Sequence, residues 1–148
     1  MSPRRSTQDW LLEAIAFAAL LATFAMVFGH WQRLPVFARR GSGGSLLVMV
    51  LTNAGVYVLL TLAARYQQLV NVPFEIDRER PEVKQLLLQM TIVLKTVLMV
   101  LLAGLLWIII HTPMGRMRTA GRGYLAVFLI AMLAPTLVYV RKLSRFRK

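Results

Sequence analysis

Two ionisable residues stand inside otherwise apolar stretches of this chain. Glu13 lies in "WLLEAIAFAALLATFAMVFG" and Lys95 in "QMTIVLKTVLMVLLAGLLWIIIH". A charge inside a segment able to cross a bilayer is costly, so it marks a functional site or needs a named partner. Glu13 is three residues past Trp10, ~4.5 Å along a helix. With the apolar layer beginning near Met90, Lys95 is ~7–8 Å deep from the same side. The two are expected to form an intramembrane polar pair. The competing expectation is snorkelling, with the Lys95 ammonium at the interface and its stem in hydrocarbon. Either way Lys95 would fix the height of its helix. A proton or ion relay needs further buried acids or histidines along a path. Glu13 is the one acid inside these stretches, so transport is not expected.

His30 and His111 are the second constellation. Both follow apolar runs that cross in the same direction, which puts both at the outer surface. Paired histidines on two helices can hold a haem iron axially. A haem or pigment ligand pair is therefore an alternative reading of His30 and His111. Their place at helix ends, beside Trp31 and near Trp107, reads first as an interfacial polar rim, with no cofactor. Six acids, Asp9, Glu13, Glu75, Asp77, Glu79 and Glu82, complete the titratable set. Four of them interleave with Arg78, Arg80 and Lys84, the pattern of a solvated segment. There is no cysteine, hence no thiol catalysis, thiolate metal site or disulfide. No Ser/His/Asp arrangement, HExxH or carboxylate pair stands out. Neither an enzyme nor a metal site is expected.

Helices must position these residues. The chain is 57% hydrophobic over 148 residues, with a mean hydropathy of +0.61. The apolar residues fall in four blocks, each near the ~20 residues that span a ~30 Å hydrocarbon layer. In lipid every backbone polar group must bond within its own segment, which selects helix. The expected fold is all-α, a single-domain integral membrane four-helix bundle. Its helices are expected at about 10–29, 45–64, 82–110 and 124–140, with a cytoplasmic strap at 65–81 and a basic tail at 141–148. The first apolar run exceeds the usual 7–15 residues of a signal-peptide core and reads as an uncleaved helix. Pro81 suits the first turn of the third helix, with Glu82 near its positive end. The Gly/Ser run before Ser45 should make the first connection flexible. Gly115, Gly121 and Gly123 suggest a short loop before the fourth helix, and Pro135 should kink or loosen that helix.

Lys and Arg outnumber Asp and Glu by 18 to 6, a formal net charge of +12. These charges flank the apolar blocks, so anionic lipid headgroups are the simplest partner. Arg141, Lys142, Arg145, Arg147 and Lys148 form the densest cluster. No Gly-rich phosphate loop and no RNA-binding signature appears, so no nucleic-acid partner is expected. Eleven Lys and Arg residues fall on the side of the two termini and the second connection, against six on the other. Both termini should therefore be cytoplasmic. Ala14, Ala18, Ala22, Ala25 and Gly29 recur three and four residues apart, a small-residue stripe that lets membrane helices approach closely. It reads as an internal packing face, the alternative being a docking face for another subunit's helix. Trp10, Trp31, Trp107, Tyr66, Tyr124 and Tyr139 near helix ends form an aromatic belt.

The stretch "NVPFEIDRERPEVKQLLLQMTIVLKTVLMVLLAGLLW" resembles the bacterial membrane domain of unknown function 1648, found at the front of SdpI-type immunity and signalling proteins. The likeness covers about residues 34–107. Asn71, Pro73 and Ile76 match its Asn-x-Pro-x-x-Ile stretch, and Lys95 and Trp107 match its lysine and the tryptophan twelve residues on. The family's first outer loop has a histidine part that is missing after Leu34 and Pro35, and the C-terminal helices of the SdpI branch are absent. The resemblance implies a membrane protein with no established activity. Together these features suggest a multi-pass protein of the bacterial inner membrane. Its expected role is a non-enzymatic, helix-packing accessory subunit of a larger complex, with other membrane helices or further copies of itself as partners. One alternative is an SdpI-like immunity or signalling component. Another is a haem- or pigment-binding subunit of an electron-transfer complex.

Overall fold

The computed structural model describes residues 6–30, 43–66, 70, 75–112 and 116–146. Among them are four helices, α1 (Thr7–Gly29), α2 (Gly43–Arg65), α3 (Pro81–His111) and α4 (Met117–Ser144). Each is long and apolar enough to cross a membrane.

Local chemistry sets where α1 and α3 begin. Ser6 and Asp9 make a reciprocal capping box at the start of α1. The Ser6 amide donates to Asp9 Oδ2 at 2.7 Å, and the Asp9 amide donates to Ser6 Oγ at 3.2 Å. Two of the amides that a helix start leaves without partners are thereby satisfied. Asp9 is buried despite its charge. Pro81 opens α3, where its missing N–H costs nothing. Just before it, Asp77 and Glu79 pair with Arg80 and Lys84 at 3.4 and 3.1 Å. These pairs are exposed and contribute little.

α3 is the central element. It packs against α1, α2 and α4; α1 also packs against α2, and α4 packs against α3 alone among the described helices. α3 has 31 residues and is therefore ~46 Å long. Its first turns, with Val83, Leu87 and Met90, bury against Ile76 and Leu143, with Tyr139 and Phe146 alongside. At the opposite end Val27, Leu46, Val50 and Leu106 close the three-helix core. Between them Ala16, Leu20 and Met99 pack with Ala54, Tyr57 and Leu102.

Three expectations need correcting. The small-residue stripe is not internal: Ala14, Ala18, Ala22, Ala25 and Gly29 are all exposed, and α1 turns Ala16, Leu20, Thr23 and Val27 inward instead. The loop expected around Gly121 and Gly123 is helix, because α4 starts at Met117. Glycine is tolerated in membrane helices, where the backbone has no water to bond to instead. The basic tail does not begin as a tail: α4 runs to Ser144, carries Arg141 and Lys142, and buries Leu143. α4 also continues through Pro135, and Thr136 donates its hydroxyl to the Met132 carbonyl at 2.6 Å. Residues 31–42 of the first connection and 67–69 and 71–74 of the strap lie outside the described residues.

Candidate functional site

Lys95 is the largest fully buried side chain of the described residues, at 0% exposure. It does not snorkel. Its ammonium donates to the carboxylate of Glu13 on α1, forming an ion pair across the α1–α3 interface. It also donates to Thr61 Oγ1 on α2 at 3.2 Å and stands 4.7 Å from the centre of the Tyr57 ring. Three helices thus converge on one charge. A carboxylate, a hydroxyl and an aromatic face are the partners a desolvated ammonium needs. Thr96, the next residue of α3, spans the same interface. Its hydroxyl lies 3.0 Å from the Leu12 carbonyl of α1 and 2.9 Å from its own Ile92 carbonyl.

α2 supplies the part of this site that the sequence reading missed. Asn53, Tyr57 and Thr61 follow one another at four-residue intervals and so share a helix face. That spacing of polar groups in an apolar run was the available signal. Thr61 itself donates to the Tyr57 carbonyl at 2.7 Å, leaving its lone pairs to Lys95. Asn53 is 1% exposed, and neither its amide nitrogen nor its oxygen has a hydrogen-bond partner among the described residues. An orphaned buried amide carries its full desolvation penalty. Asn53→Leu should therefore stabilise the bundle by ~1–3 kcal/mol, read as a raised midpoint in mixed-micelle unfolding. A destabilised variant would show that the amide is bonded in the native bundle.

His30 and His111 come together at the far end, where α1 and α3 stop. Their ring centres are 5.7 Å apart at 85°, and Trp107 stacks on His111 at 3.9 Å. Val27 and Leu106 pack in one cluster a turn below. Among the described residues no group of three or more His, Cys, Asp or Glu could hold a metal.

Of the basic cluster, Arg141, Lys142 and Arg145 are exposed, and the Lys142 ammonium sits 5.3 Å from the Tyr139 ring centre. Arg147 and Lys148 lie outside the described residues, as do Asn71 and Pro73 of the family-like stretch. Its Ile76 is buried and its Trp107 exposed. No family model, curated protein or solved structure matches this chain.

Proposed function

We propose that this is a non-enzymatic multi-pass protein of the bacterial inner membrane that serves as an accessory subunit, binding another helix in the membrane plane. The observation that carries this is the direction of the small-residue stripe. α1 uses one face to bury Ala16, Leu20, Thr23 and Val27 and leaves Ala14, Ala18, Ala22, Ala25 and Gly29 facing away from the bundle. Between apolar helices in lipid there is no hydrophobic drive, so association depends on close approach at small residues. A Cβ added at Gly29 would meet nothing within 4 Å, so the smallness of that position serves no contact among the described residues.

The buried Lys95–Glu13 pair holds α1 against α3 and so keeps the stripe presented. The exposed Arg141, Lys142 and Arg145 suit anionic headgroups, and the excess of Lys and Arg on that side supports cytoplasmic termini. The test is assembly. Ala18→Leu with Ala22→Leu should abolish the chain's higher-order species in gentle detergent, whether homo-oligomer or complex. Its own unfolding midpoint should stay unchanged, since both positions are exposed. A wild-type chain that runs as a lone monomer, without a reproducible partner, would refute the accessory role.

A further inference from the structure

His30 closes α1, and His111 is the last residue of α3. We propose that these two residues form a two-imidazole clamp for a borderline transition-metal dication, Cu2+ or Zn2+, at the far end of the bundle.

Four observations carry it. The first is distance. With metal–nitrogen bonds of ~2.0–2.1 Å, two imidazoles on one ion hold their ring centres roughly 5–6 Å apart. The rings stand 5.7 Å apart here. The second is protonation. His30 Nδ1 lies 2.8 Å from the Met26 carbonyl and His111 Nδ1 lies 3.0 Å from the Trp107 carbonyl. A carbonyl oxygen only accepts, so each Nδ1 must carry the hydrogen. In the neutral ring the lone pair is then on Nε2, for which no partner is found among the described residues. Donation from the far ring nitrogen to a carbonyl is the outer-shell arrangement of metal-binding histidines, and it recurs identically on both helices.

The third is the field. Two helix C-termini meet at this point, each equivalent to about half a negative charge, which favours a cation. The fourth is rigidity, since Trp107 stacks on His111 and limits its ring to one plane.

The same surroundings select the ion. The acids of this chain are Asp9, Glu13 and the four between Glu75 and Glu82, and none lies near this end. Arg116 opens the turn into α4 there and Arg122 follows in its first turns. Hard cations that want carboxylates, such as Mg2+ and Ca2+, are poorly served. Ions with strong affinity for neutral imidazole are favoured, Cu2+ above Zn2+. Water would complete the coordination. The sequence offers this pair only as haem or pigment ligands, because two histidines so far apart, with no third ligand motif, carry no spacing signal for a bare ion.

The chain has two histidines in all and no cysteine, which makes the test clean. The untagged full chain in detergent is titrated with Cu2+ and followed by electron paramagnetic resonance. One saturable Cu2+ per chain is expected, with hyperfine coupling to two nitrogens that changes when histidine is labelled with 15N. His30→Gln and His111→Gln should each weaken binding roughly tenfold or more and leave at most one coupled nitrogen. Zn2+ should displace the copper, and Mg2+ and Ca2+ should not. Copper that does not saturate at one equivalent, or a spectrum indifferent to the 15N label in the wild-type chain, would overturn the proposal. That labelling result needs no variant to fold.

Discussion

Glu13→Gln is expected to destabilise the bundle by ~3–5 kcal/mol, because it leaves the Lys95 ammonium buried without its counter-charge. Lys95 is fully enclosed, while the Glu13 side chain keeps 12% exposure. The desolvation penalty therefore falls mainly on the lysine. Lys95→Met should consequently cost less than Glu13→Gln, since the carboxylate it strands has a route toward the surface. The double variant should recover most of the loss, because it leaves neither charge buried without its partner. Reversible unfolding in mixed micelles gives all four corners of the cycle. Polar contacts between membrane helices often contribute only ~0.6 kcal/mol. Singles that each cost that little, with no coupling between them, would mean the pair is not what holds α1 on α3. Lys95→Leu should also disturb insertion height or assembly if the pair sets the vertical register of the two helices.

The meeting of Glu13 and Lys95 was legible because both could be counted inward from one surface at a fixed rise per residue. The same counting failed to find Thr61 and Tyr57. Their depth depends on where α2 ends, and the strap after it gives no sharp boundary. The number and type of helices could be read because the length of an apolar run is a robust signal in a chain of this hydropathy. The inside and outside of each helix could not. In a soluble helix the polar face marks the exterior. Here both faces of α1 are apolar, so Ala14 and Ala16 look alike in sequence, yet one is exposed and the other fully buried. The start of α4 was hidden for a related reason. Gly121 and Gly123 read as loop under the propensities of water, where glycine weakens a helix by roughly 1 kcal/mol. That penalty loses force where an unbonded backbone costs several kcal/mol per group.

α4 has the least support of the four helices, and its attachment concentrates at two places. At one end Leu143 buries among Ile76, Val83, Leu87 and Met90. At the other the Tyr124 hydroxyl donates to the Leu101 carbonyl of α3, passing over Gly104. Between them Leu125, Leu129, Ile130, Leu133 and Leu137 are exposed. The upper attachment depends on the absence of one methyl group. A Cβ at Gly104 would stand 2.9 Å from the Tyr124 hydroxyl oxygen, with the ring carbons at 3.5 and 3.6 Å. The ring contacts are tolerable and the oxygen contact is not, so Gly104→Ala must push the phenol off its acceptor. Overpacking of this kind costs ~1–3 kcal/mol. Tyr124→Phe, which loses the hydrogen bond but keeps the ring, should cost ~0.5–1.5 kcal/mol. Since the clash is with the hydroxyl itself, Gly104→Ala should be nearly harmless once Tyr124 is Phe. The double variant should then be no worse than Tyr124→Phe alone, a strongly non-additive result. Strict additivity would place the cost of Gly104→Ala elsewhere in α3. Non-additivity would identify Gly104 and Tyr124 as the joint that holds α4, and with it the second exposed helix face, in place on the bundle.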